Sequence, residues 1–149
     1  MADRLLVDAM LGKLATHLRM CGYDAAYALD RGVEADDRLL AIAAEEGRVL
    51  LTRDRQLAMR AAESLALEAH GIRDQLRELQ AAGYNLTLAA PPVRCGTCNG
   101  HLDAVTADEP TPASVPSPDA ESVWQCRDCG QYFWQGSHWD DVAQTLAEL

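Results

Sequence analysis

The chain has 149 residues, 48% of them hydrophobic and 5% aromatic, which suffices for one modest core with a small satellite. Its formal net charge of −10 argues against bulk electrostatic binding of nucleic acid. No apolar run reaches the roughly 18 residues of a membrane span, and no basic-then-apolar leader opens the sequence, so a cytoplasmic protein without membrane contact is expected.

The charge is unevenly placed. Residues 1–60 hold nine Lys or Arg against ten acids, whereas residues 94–149 hold only Arg94 and Arg127 against nine. Any phosphate-binding face therefore belongs to the N-terminal part.

In chain order, Arg4-Leu5-Leu6-Val7-Asp8 reads as a short strand tipped by a carboxylate. Leu11, Leu14, Leu18 and Cys21 then recur near helical spacing, with Gly22 as the cap. Tyr23 to Leu29 is a second strand, broken at Asp30-Arg31-Gly32. A helix over about 36–46 follows, with Asp36 favoured as N-cap. Arg48-Val49-Leu50-Leu51-Thr52 is a third strand, and Asp54 opens a short helix to about Ala62. Leu65-Ala66-Leu67 makes a fourth strand and Ile72 to Ala82 a further helix ending at Gly83. Such alternation implies βαβ units and a mainly parallel sheet.

The character changes at Pro91-Pro92. An α/β unit over 1–90 and a cysteine-bearing unit over 93–149 are expected. A Pro-rich loop at 107–120 lies inside the second unit, and a closing helix carries Trp139, Val142, Ala143 and Leu146.

Asp8 and Asp54 end apolar strands, and one of Asp36 or Asp37 lies between them. Strand ends of a doubly wound sheet converge, so these acids could gather hard oxygen ligands for Mg²⁺ or Mn²⁺ and support phosphodiester hydrolysis. Helix capping alone would also place Asp at these positions. Asp74 is a further candidate acid. Thr52 could orient Asp54, and Arg53 could contact a scissile phosphate, with Lys13 and Arg19 adding local positive charge.

Cys95/Cys98 and Cys126/Cys129 form two Cys-x-x-Cys pairs, each with a Gly just after. The set reads as a structural tetrathiolate Zn²⁺ site. His138 beside Ser137 is a spare ligand, a phosphate contact or a surface residue, and the nearby Trp124, Phe133, Trp134 and Trp139 pack the ribbon or offer a ring for stacking on a base.

The blocks Val7-Asp8-Ala9-Met10-Leu11-Gly12-Lys13-Leu14-Ala15, Leu18-Arg19-Met20-Cys21-Gly22-Tyr23-Asp24 and Leu51-Thr52-Arg53-Asp54 resemble the Mut7-C family. So do Gln75-Leu76, Cys95-Gly96-Thr97-Cys98-Asn99 and Tyr132-Phe133-Trp134-Gln135-Gly136-Ser137-His138-Trp139. The resemblance implies a PIN-like three-layer α/β/α ribonuclease domain followed by a small β-rich zinc ribbon and a C-terminal helix. It further implies an acidic Mg²⁺ or Mn²⁺ site at Asp8, Asp36 and Asp54, with Asp36 selected over Asp37. The expected partner is RNA, whether tRNA, rRNA or the ribosome, through cleavage or through binding alone. A homodimer or an inhibitory protein partner is also compatible.

Overall fold

A computed structural model describes residues 3–149. Strands β1 (Arg4–Val7), β2 (Asp24–Tyr27), β3 (Val49–Thr52) and β4 (Ser64–Ala66) form an all-parallel sheet in the order β2-β1-β3-β4. Leu5-Leu6-Val7 and Val49-Leu50-Leu51 of the central strands are aliphatic because both faces are covered. Leu5, Val7, Val49 and Leu51 face one layer, in which α1 (Gly12–Met20) and α4 (Ile72–Ala81) contribute Leu14, Leu18, Leu76 and Leu79. Leu6 and Leu50 face the other, against Leu39 of α2 (Asp36–Glu46) and Leu57 of α3 (Arg55–Arg60). The expected three-layer α/β/α architecture is therefore present.

Strand order fixes where the layers part. From β1 the chain moves outward to β2, then returns past β1 to β3 and on to β4. Right-handed crossovers put α1 on one face and α2 and α3 on the other, leaving a crevice beyond the carboxyl ends of β1 and β3.

Three local expectations need correction. The second strand stops at Tyr27, paired with the last residue of β1, because β1 turns away at Asp8 and leaves nothing to pair with. Ala28–Arg31 instead forms a 3-10 turn closed by Gly32 at φ 63°. The fourth strand starts at Ser64. Asp36 is the first helical residue rather than the cap: Ala35 holds that position and makes no side-chain bond.

The C-terminal part is a three-stranded antiparallel ribbon, β5 (Leu102–Ala104), β6 (Val123–Cys126) and β7 (Tyr132–Trp134), followed by α5 (Ser137–Ala147). Helix α5 returns to the parallel sheet. Leu146 and Leu149 pack against the α1/α4 layer, and Glu148 pairs with Arg73.

The ribbon docks on β2, an edge strand whose outer backbone groups need partners. Ala25 N–H donates to Asn99 Oδ1 at 3.0 Å, and Arg19 Nε donates to the Ala25 carbonyl at 2.8 Å. Arg19 Nη1 also reaches the Gly96 carbonyl in the first knuckle at 3.1 Å, and Asn99 Nδ2 donates to Asp24 Oδ1 at 2.7 Å. Asn99 sits at φ 72°, a conformation Asn tolerates better than other side-chain-bearing residues.

Asp24 gathers Arg4, Arg48 and Asn99 at the amino end of the sheet. Burial pushes its carboxyl up, but hydrogen bonds from Arg48 and Asn99 outweigh it and hold the group far below the usual carboxylate range.

Asn99→Ala is expected to cost about 1–3 kcal/mol in chemical unfolding, through the stranded Ala25 amide and the lost bond to Asp24. Asn99→Gly, which relieves the backbone but not the amide, should recover only part of that loss. Because the folded-state pKa of Asp24 lies below its unfolded value, its contribution is complete above about pH 4 and fades as pH falls toward the depressed value. The stability gap between wild type and Asp24→Asn should therefore narrow in urea titrations taken from pH 6 down to pH 3.

Candidate functional site

The crevice at the carboxyl ends of β1 and β3 is built by two strand ends. Asp8 N–H donates to the Leu51 carbonyl at 3.0 Å, stitching the strand ends together just where the side chains change from apolar to polar. Asp8 is buried; its Oδ1 accepts from Ala9 N–H at 2.7 Å and its Oδ2 from the Thr52 hydroxyl at 2.6 Å. Thr52 Oγ1 in turn accepts from Asp54 N–H at 3.0 Å. Thr52 is thus hydrogen-bonded to Asp54, through the backbone amide, and also orients the Asp8 carboxylate.

Asp54 caps α3: its Oδ1 accepts from Gln56 and Leu57 amides at 3.0 and 3.1 Å. Its second oxygen points away from those two bonds. Asp36 is exposed at the start of α2. Asp37, also exposed, pairs with Arg60 at 2.7 Å, and Asp74 pairs with Arg77 at 2.8 Å on α4. Among the described residues, the four cysteines are the set of three or more metal-capable side chains whose ligand atoms lie within 4.8 Å of one another. The acids share a rim but form no cage that tight.

Arg53 reaches across the rim to His70, with Nη2 2.7 Å from Nε2. A guanidinium only donates, so in this contact His70 Nε2 is the acceptor. The Arg53 Nε is buried without a hydrogen-bond partner among the described residues. His70 follows the fourth strand as Asp8 and Asp54 follow the first and third, so the same strand-end reasoning would have found it. Arg19, by contrast, is buried in bonds to Ala25, Gly96 and Asp30 and serves the ribbon junction in place of the expected substrate contact.

Most positive charge is neutralised internally. Among the described residues, Lys13, Arg38 and Arg53 are the cations without a carboxylate at ion-pair distance; the other ten of thirteen have one. Lys13 and Arg38 lie in the first turns of α1 and α2, and Arg53 leaves β3. All three therefore stand at the carboxyl rim.

The second centre lies in the ribbon. Cys95 and Cys129 sulfurs are 3.7 Å apart, and Cys98 and Cys126 sulfurs 3.5 Å. A tetrahedron with 2.3 Å metal–sulfur bonds has edges of about 3.8 Å, so the donor set fits a structural zinc. Burial pushes the Cys95 thiol up to about 12. Burial also raises Cys126, but amides of Cys129 and Asp128, each 3.4 Å from its sulfur, bring it down to about 7. A bound zinc would hold all four as thiolates. The left-handed position after the second Cys belongs to Gly130 in one knuckle but to Asn99 in the other. Gly100 is required for space, since a Cβ there would lie 2.6 Å from Asp128 Oδ2 and 2.8 Å from Cys126 Sγ.

His138 lies outside the cysteine set, exposed beside Ser137 at the start of α5. Burial holds the His17 imidazole of α1 below its ordinary value against the bond to the Lys13 carbonyl, with His138 and Lys13 adding to the lowering.

The sequence model of the Mut7-C RNAse domain matches residues 3–146, and the chain belongs to that family. No curated protein and no solved structure matches it. No helix among the described residues is long and apolar enough to cross a membrane.

Metal analysis of the purified chain is expected to return one zinc per molecule. Its removal, or Cys98→Ser, should abolish hydrogen-exchange protection over β5 to β7 while β1 and β3 stay protected, read by mass spectrometry; retained ribbon protection without metal would count against the structural role.

Proposed function

We propose that this Mut7-C chain is a metal-dependent ribonuclease acting in the reducing cytoplasm, where its thiols stay available to zinc. The observation that carries the reading is the placement of Asp8, Thr52 and Asp54 at the topological switch point, with Lys13, Arg38 and Arg53 on the same rim. A divalent cation bound there would activate water and stabilise charge on the leaving oxygen. The ligands would be the carboxylates of Asp8, Asp54 and Asp36, through lone pairs not spent on hydrogen bonds, and a hydrated Mg²⁺ or Mn²⁺ tolerates acids that stand apart because it keeps several waters.

The remaining roles belong to the chain itself. Thr52 fixes the Asp8 carboxylate from behind. Arg53, held by His70, presents its guanidinium to a phosphate, and Lys13 and Arg38 draw the backbone of tRNA or rRNA onto an otherwise acidic protein. The ribbon widens the RNA-facing surface.

One observation favours a rival reading of this rim as a binding surface only. Asp54 is already engaged by two amides as an ordinary helix cap. In that case the chain holds RNA or a ribosome without cutting it.

Cleavage of tRNA and rRNA by zinc-loaded protein decides between them, with Mg²⁺ or Mn²⁺ supplied or omitted; a strong chelator would also strip zinc. Cutting should require the added metal and disappear in Asp8→Asn and in Asp54→Asn, where Asn preserves the cap. Thr52→Val, which removes the hydroxyl behind Asp8, should lose about 10–100-fold. Unchanged cutting by both Asp variants would remove the acid assignment, and RNA binding without cutting under either metal would favour the rival.

A further inference from the structure

A cavity of about 510 Å³ lies between the parallel-sheet layer and the ribbon. On one side its wall is Gly12, Thr16 and Tyr27; on the other it is Tyr132, Phe133 and Trp134 of β7, closed by Ser137, His138 and Trp139 of α5. The cavity wall begins close to Asp8 in the chain. Gly12 follows Asp8 by a single 3-10 turn, Ala9–Leu11, a rise of about 6 Å at 2.0 Å per residue. Tyr27 donates from its hydroxyl to the Ala9 carbonyl at 2.5 Å, which fixes its ring beside the same loop.

The opposite wall is equally fixed. A Cβ on Gly136 would lie 2.6 Å from Trp134 Nε1, so the indole rests directly on the backbone that leads into α5. Gly12 is likewise without room, since a Cβ there would lie 3.0 Å from the Tyr27 hydroxyl. Five aromatic rings surround a space large enough for one planar heterocycle with its sugar, in a chain where aromatics are only 5% of residues. His138 is in the lining, and Lys13, which among the described residues has no carboxylate at ion-pair distance, directly follows Gly12 of the wall. The one acid in the lining, Asp30, is answered by Arg19 at 3.1 Å. Flat apolar walls with cations at the rim match a base and its phosphate.

We infer that this cavity receives one unpaired nucleobase of the RNA by stacking against Trp134 and Tyr27, seating the neighbouring phosphate at the Asp8 rim. The inference rests on the ribonuclease reading and adds its subsite. It makes the ribbon a wall of the substrate site as well as a docking element, and requires the RNA to be single-stranded at the point of contact.

The test uses the full zinc-loaded chain and short single-stranded RNAs carrying one 2-aminopurine or, at the same position, an abasic site. Binding to the wild type should quench the 2-aminopurine, and the abasic RNA should bind at least about tenfold more weakly, in the range of one lost stack. Trp134→Leu should lose the quenching and a similar factor in affinity, and Trp134→Phe should recover most of both, with zinc content and melting temperature unchanged in each. If Trp134→Leu fails to fold, Thr16→Phe plugs the cavity from the helix side and should give the same losses. Equal affinity for the abasic RNA, or full quenching in both variants, would overturn the base pocket while leaving RNA binding and cutting intact. Failure of the wild type to bind any RNA would remove both readings.

Discussion

The outer edge of β2 is the constraint on which the rest of the molecule depends. Ala25 turns both its N–H and its carbonyl away from the sheet, and two side chains answer them: the Asn99 amide and the Arg19 guanidinium. An open strand edge invites pairing with another chain. Here it is covered by a zinc knuckle, because Asn99 immediately follows Cys98 and Arg19 also holds the Gly96 carbonyl. Metal binding, edge protection and ribbon placement are thus one structural event. Asp24 lies beneath it and links the same knuckle to Arg48, whose buried guanidinium also bonds the Leu5 carbonyl of the neighbouring strand.

That junction has consequences at the opposite end of the sheet. With the ribbon fixed against β2 and α5 returning to the α1/α4 layer, the aromatic strand β7 faces Tyr27 and the first turn of α1. The first turn of α1, which follows Asp8 in the chain, therefore faces an aromatic wall that the four-stranded sheet does not itself supply.

Electrostatics show the same division. A net charge of −10 works against the RNA contact proposed above. Internal ion pairing resolves the difficulty, because cations at the amino end of the sheet, on α4 and in the ribbon are absorbed by acids, whereas Lys13, Arg38 and Arg53 are left at the carboxyl rim. Local charge, at separations shorter than the screening length of about 8–10 Å, counts for more than the total.

The sequence by itself determined the elements and the metal centre. Aliphatic runs tipped with Asp marked β1 and β3, helical spacing marked α1, α2 and α4, and two Cys-x-x-Cys pairs marked the ribbon, since each rests on near neighbours in the chain. Family motifs extended this to the α/β/α layering. What only the tertiary structure decided involves partners far apart in sequence. Thr52 serves the Asp8 side chain across 44 residues, Arg19 joins the ribbon across 77, and Arg53 meets His70 across 17. Asn99 looked like turn chemistry and became the partner of a strand 74 residues away. Periodicity reports which face of an element is apolar, but a hydrogen-bonding side chain is equally content with any donor or acceptor, and the fold alone chooses which one it finds.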